Sequence, residues 1–119
     1  MPRIASVVIH CSEPAVLAPF WSLVTGIPVV DADLRAIADG TLGADEAVLL
    51  RSDDDRPDVW LAPAEELRAP GRVHLDVVAT EEEKTSFLEA GATVVAERPK
   101  WTVLADPEGN EFCVFPERH

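Results

Sequence analysis

The chain has 119 residues, 47% of them hydrophobic, with 22 acidic against 10 basic residues and a formal charge of −12. That length predicts a single domain able to bury a core without staples, and that hydrophobic share excludes disorder. The acidity argues against nucleic acid and anionic membrane surfaces as partners, because both need a basic face, and no apolar run approaches the roughly 20 residues that span a bilayer.

The N-terminal MPRIASVVIHCSEP has one Arg and a short apolar stretch, without a plausible signal-peptide core or cleavage site, so the chain reads as mature cytoplasmic protein. Cys11 and Cys113 are then expected as free thiols of a reducing compartment, each packing as a small hydrophobe. Ile4 to Cys11, rich in Val and Ile, reads as a strand. Ser12, Glu13 and Pro14 make a helix-start signal: a capping hydroxyl, an acid near the positive end of the helix dipole, and a proline tolerated in the first turn. The predicted helix Ala15 to Thr25 carries Leu17, Phe20, Trp21 and Val24 at helical spacing, and Gly26 suits the position just past its end. Ile27 to Val30 resumes as a strand, with Pro28 pointing to an edge. Asp31 to Glu46 is weakly patterned and reads as a mobile excursion. Ala47 to Arg51 and Asp58 to Leu61 read as strands around the Asp-rich turn Ser52 to Pro57.

The same order then returns. Arg72 to Ala79 reads as a strand, Thr80 as a cap, and Glu81, Glu82 and Glu83 as an acid-loaded first turn of a helix reaching about Ala90, with Phe87 and Leu88 as its apolar residues. Gly91 ends that helix and Ala92 to Ala96 is a strand. Gly26 to Val30 and Gly91 to Val95 correspond, and so do Leu23 and Leu88. Trp101 to Ala105 and Glu111 to Phe115 read as a hairpin around Asp106-Pro107-Glu108-Gly109-Asn110. The chain therefore divides into a first module, 1–62, a linker, 63–71, and a second module, 72–119.

Two βαβββ modules in this length, Phe20-Trp21 followed by Gly26, the strand Arg72-Val73-His74-Leu75-Asp76 and above all Asp106 to Asn110 before an apolar strand resemble the glyoxalase/bleomycin-resistance (vicinal oxygen chelate) superfamily, in particular its short glyoxalase-like proteins. The resemblance implies an α+β fold in which the two modules form a cup-shaped curved sheet, with helices outside and a small ligand within. Metal-dependent members place a ligand on the first strand of each module and one on the last. His74 stands at the second module's first-strand position, Ser6 at the first module's, Trp60 or Leu61 at the first module's glutamate, and Cys113 at the last-strand ligand. Of these only His74 is a conventional ligand, so neither a metal centre nor another cofactor is expected. Glu111 has ligand chemistry, but the strand reading gives it a different projection from Cys113.

Strand alternation assigns Ser6, Val8 and His10 to the cup, along with His74, Asp76 and Val78, and sends Cys11 under the helix. The candidate ligand-binding residues are His10, Trp60, His74, Trp101 and Cys113. His74 is also the best candidate for acid–base chemistry, whereas Asp76 fits a hydrogen-bond network within the sheet. Cys113 reads as an inert thiol unless a neighbour such as His74 lowers its pKa. Trp60 and Trp101, read as standing in matching places, suit either stacking on a flat ligand or core packing. Two functions follow. One is binding of a small organic molecule for sequestration or resistance, without a conventional metal. The other is a lyase- or isomerase-type enzyme using His74, with His10, in acid–base or metal-assisted chemistry. The resemblance also implies a homodimer.

Overall fold

The computed structural model describes residues 4–64 and 75–116. Most of the expected linker lies outside the described residues, together with Arg72, Val73 and His74. The chain divides into two units, Met1–Leu67 and Arg68–His119. No helix among the described residues is long and apolar enough to cross a membrane.

The first unit runs β1 (Ser6–Cys11), α1 (Pro14–Thr25), α2 (Asp31–Asp39), β2 (Val48–Leu50) and β3 (Asp58–Pro63). Its sheet has the order β1-β3-β2, with β1 parallel and β2 antiparallel to β3. The apolar stripe of α1 (Leu17, Ala18, Phe20, Trp21 and Val24) is buried, as are Val48, Leu50, Val59 and Leu61 of the strands it packs on. Full burial of side chains this large stabilises by about 1.5–3 kcal/mol each. The helix starts differently from expectation: Glu13, not Ser12, is the N-cap, and no side chain caps it. The Glu13 carbonyl accepts from the Val16 and Leu17 amides, while Pro14 at the first helical position has no N–H to satisfy. Gly26 closes the helix at φ 73°, donating its N–H to the Ser22 carbonyl at 2.9 Å.

Two expectations are corrected here. Ile27 to Val30 makes only a single bridge, Val29 to Leu50, instead of a full strand. The chain turns into α2 straight after Val30, and the Leu49 amide is taken by the Asp33 carboxylate at 2.8 Å, where a longer strand would have offered a carbonyl. Asp31 to Glu46 is also not an excursion without structure: its first nine residues are α2, with Asp31 and Asp33 in the first turn and Gly40 at φ 70° ending it. None of its side chains is buried, so no core-facing stripe announces it in the sequence.

The second unit runs β4 (Leu75–Val78), α3 (Glu81–Glu89), β5 (Thr93–Glu97), β6 (Thr102–Ala105) and β7 (Glu111–Phe115), in the sheet order β4-β7-β6-β5. Here β4 is parallel to β7, and the other pairs are antiparallel. α3 begins with a capping box: Glu83 N–H donates to Thr80 Oγ1 at 3.1 Å, and Thr80 N–H to Glu83 Oε1 at 2.9 Å. Phe87 is its buried residue and meets Phe112 at 6.4 Å between ring centroids. The register of β5 shifts at Val95, a bulge in that strand. Between β6 and β7 the buried Asp106 carboxylate accepts from the Glu108 and Asn110 amides and from Asn110 Nδ2, at 2.8–2.9 Å. Each unit thus repeats one plan: first strand parallel to the last, with the helix between them in sequence and the intervening strands antiparallel. In the first unit the Val29 bridge stands where the second has β5.

Candidate functional site

Each sheet has a helix-packed face and an open one, and pleat parity decides which side chains reach the open face. In the first unit the β1–β3 register pairs Ser6 with Asp58, Val8 with Trp60 and His10 with Ala62, and the β2–β3 register pairs Leu49 with Trp60. Val8, Trp60 and Leu49 therefore form one row across the open face, with Ser6 and His10 beside it on β1. Val8 is 53% exposed, His10 is exposed and Trp60 half-buried. Cys11, of opposite parity, is fully buried.

In the second unit Asp76 pairs with Cys113, and Cys113 with Val103. Val78 pairs with Phe115, and Phe115 stacks on Trp101 with centroids 5.7 Å apart and planes at 23°. Val78 is 56% exposed. The open face of this sheet thus carries Asp76, Val78, Val103, Glu111, Cys113 and Phe115, with Trp101 at the start of β6.

Two readings change. Trp60 and Trp101 do not occupy matching places. The row Val8–Trp60–Leu49 corresponds to Asp76–Cys113–Val103, so the counterpart of Trp60 is Cys113 and that of Trp101 is Ala47. Glu111 lies two residues before Cys113 and so shares its face, contrary to the projection expected for it. The consequence reaches the thiol: burial pushes the Cys113 pKa up, and the negative charges of Asp76 and Glu111 push it the same way. These surroundings oppose the thiolate a nucleophile needs. Phe115 is absent from the residues the sequence points to, although its spacing of two from Cys113 puts it on the same face. His74 lies outside the described residues.

A family model of the glyoxalase-like domain matches residues 6–115. The chain belongs to the glyoxalase-like domain family. No curated protein matches this glyoxalase-like chain in sequence. Among solved structures it is similar to a glyoxalase/bleomycin resistance protein/dioxygenase family enzyme from Burkholderia phytofirmans (17% identity, 92% of this chain and 94% of that one, TM-score 0.64). A glyoxalase/bleomycin resistance protein/dioxygenase superfamily member from Sphaerobacter thermophilus shares 19% identity over 98% of each chain, with a TM-score of 0.65. The fosfomycin resistance protein FosX from Listeria monocytogenes shares 10% identity over 100% of this chain and 94% of that one, with a TM-score of 0.68. At these identities the likeness is one of fold.

The metal positions of the wider superfamily can be tested on this glyoxalase-like chain by donor chemistry. The register makes Trp60, not Leu61, the counterpart of Cys113, and an indole offers no metal-binding lone pair. Ser6 offers only a neutral hydroxyl, which leaves Cys113 as the one of the three with a side chain that divalent metals readily take up, losing its proton as it binds. A catalytic divalent site takes about three protein ligands, and these three residues do not fit that role. Among the described residues no group of three or more His, Cys, Asp or Glu side chains is arranged to hold a metal ion.

Proposed function

We propose that this glyoxalase-like chain binds a small organic molecule against the open face of a sheet, without a conventional metal centre, as a sequestering or resistance-type protein. One observation carries the reading: the open faces present aromatic and aliphatic side chains, with Val8 beside Trp60, which stands where the superfamily has a carboxylate ligand, and Val78 beside the Trp101–Phe115 stack. Partly exposed aromatic rings beside exposed valines suit the flat or apolar body of a ligand. That one structural neighbour is a fosfomycin resistance protein is consistent with such a role.

Tryptophan emission tests it. Titration with a broad small-molecule library is expected to give saturable quenching or a blue shift, which Trp60→Phe and Trp101→Phe each reduce. Silence across the library sinks the reading. Stoichiometric nickel, zinc or iron in the purified protein would remove its metal-free part. We propose that the chain acts as a homodimer, which sedimentation at the monomer mass would refute.

A second reading is favoured by the exposed His10 on the open face of β1. In it the chain is a lyase- or isomerase-type enzyme, with His74 and His10 exchanging a proton with the ligand. His74→Ala separates the two: it abolishes turnover in the enzyme and only weakens affinity in the binding protein.

A further inference from the structure

We propose that the second unit carries a separate ligand site, on the helix side of its sheet, that takes the anionic head of a small organic carboxylate or phosphate. A cavity of about 270 Å³ lies there between the start of α3, the β5–β6 turn and β6. Thr102 and Val114, which pair across β6 and β7 and are both buried, line its sheet side, so it opens away from the face that carries Cys113 and Phe115. The volume is just below the range of drug-sized pockets, which suits a compact metabolite.

The charge of the lining is the second observation. The chain has only two lysines, Lys84 and Lys100, and both line this cavity together with Arg98. Three of the ten basic residues of a chain with a charge of −12 therefore meet at one cavity. Lys84 comes from α3 with its side chain only 20% exposed. Its ammonium is 3.4 Å from Thr102 Oγ1 and 3.2 Å from the Glu81 carboxylate. Glu81 is itself 81% exposed, so the pair is screened by water and an incoming anion can replace it. Glu97 also lines the cavity, so that among the described residues three cations face two carboxylates. Arg98 and Lys100 have no carboxylate at ion-pair distance among the described residues. The Arg98 amide donates to the Trp101 carbonyl at 2.9 Å, which fixes the turn that presents both cations. Trp101 supplies the apolar wall next to them, with its ring steadied by Phe115. Guanidinium and ammonium donors converging beside an indole suit an anion attached to a flat body.

The site shares Trp101 with the open-face reading, but its cations and Thr102 lie outside that reading, and the test keeps the two apart through them. Amide NMR of the intact chain is followed during titration with benzoate, with phenyl phosphate and with neutral benzamide. Either anion is expected to move the signals of residues 79–84 and 97–102 while benzamide does not, and the tighter of the two identifies the head group. Lys84→Met and Lys100→Gln should each raise Kd roughly tenfold, the loss of one charge-assisted hydrogen bond. Lys100 lies on an exposed turn, so its variant leaves the fold intact. The proposal fails if neither anion shifts these signals, if benzamide shifts them equally, or if both variants bind as the parent does. Shifts confined to Val8, Trp60 and Cys113 would also overturn it, while supporting the open-face site.

Discussion

Asp106 has 2% of its surface exposed, and three N–H groups converge on its carboxylate. Asp106→Ala strands those donors inside the β6–β7 turn, and we expect a loss of about 1–3 kcal/mol in urea unfolding. A change within error would show that water replaces the carboxylate. Cys113 makes a different prediction. Its folded pKa is raised above the usual thiol value, so at neutral pH it stays protonated. Iodoacetamide should modify it more slowly than a free cysteine at neutral pH, its reactivity rising only above the ordinary thiol range, and Asp76→Asn should bring that rise to lower pH. Stability follows the same sign: it is unaffected below the ordinary thiol pKa and falls above it, where the unfolded chain ionises first. In the exposed turn, the Ser52 hydroxyl, followed by Arg56, holds the Asp54 carboxyl down to about 2 from 3.8. Whatever stability this lends is present above pH 3.8 and lost as pH falls towards 2. A carboxyl NMR midpoint near 3.8, unmoved by Ser52→Ala, would contradict the hydrogen bond. At this scale the sequence was readable wherever parity alone decides. His10 and Cys11 fall on opposite faces as read, because β1 is regular. The equivalence of Trp60 with Cys113 was readable only to within one residue, Trp60 or Leu61, because the choice depends on pairing between strands far apart in the chain.

Among the elements, α3 was legible because its signals are local: Thr80, three acids and a following glycine act within one turn. Thr80→Ala removes the reciprocal cap and should cost about 1 kcal/mol, read as a lower urea midpoint with an unchanged m-value. α2 was not legible, since its start is set by a contact sixteen residues away, the Asp33 carboxylate on the Leu49 amide. Asp33→Ala should therefore weaken β2 as well as α2. Hydrogen exchange is the measurement: the Leu49 amide should lose protection more than the Val48 amide, and equal loss at both would show only general destabilisation. The contraction of Ile27 to Val30 to one bridge has the same origin, because propensity favours a strand there and the helix that follows ends it.

For the molecule as a whole, the repeat was visible as an order of signals, strand, helix, glycine, strand, and the two sheets realise it with the first strand parallel to the last in both. Neither the weight of each glycine nor of each cap would have sufficed; their shared sequence did. The net charge acts at this scale too. A chain at −12 repels itself, and salt shortens the reach of that repulsion from about 30 Å at 0.01 M to about 8 Å at 0.15 M. The melting temperature should rise over that interval. A fall would mean that attractive pairs such as Arg51–Asp58, at 2.9 Å, outweigh the repulsion.

The bulge at Val95 has a further effect. β5 is one of the two outer strands of its sheet, and its Val94 and Val95 are each about half exposed. A straight outer strand with such side chains is a template on which other chains polymerise, whereas a kinked one offers no continuous ladder. Val95 thus helps to keep an apolar edge in solution. Deleting that single residue should leave the interior packed and yet convert concentrated samples into thioflavin-binding fibrils.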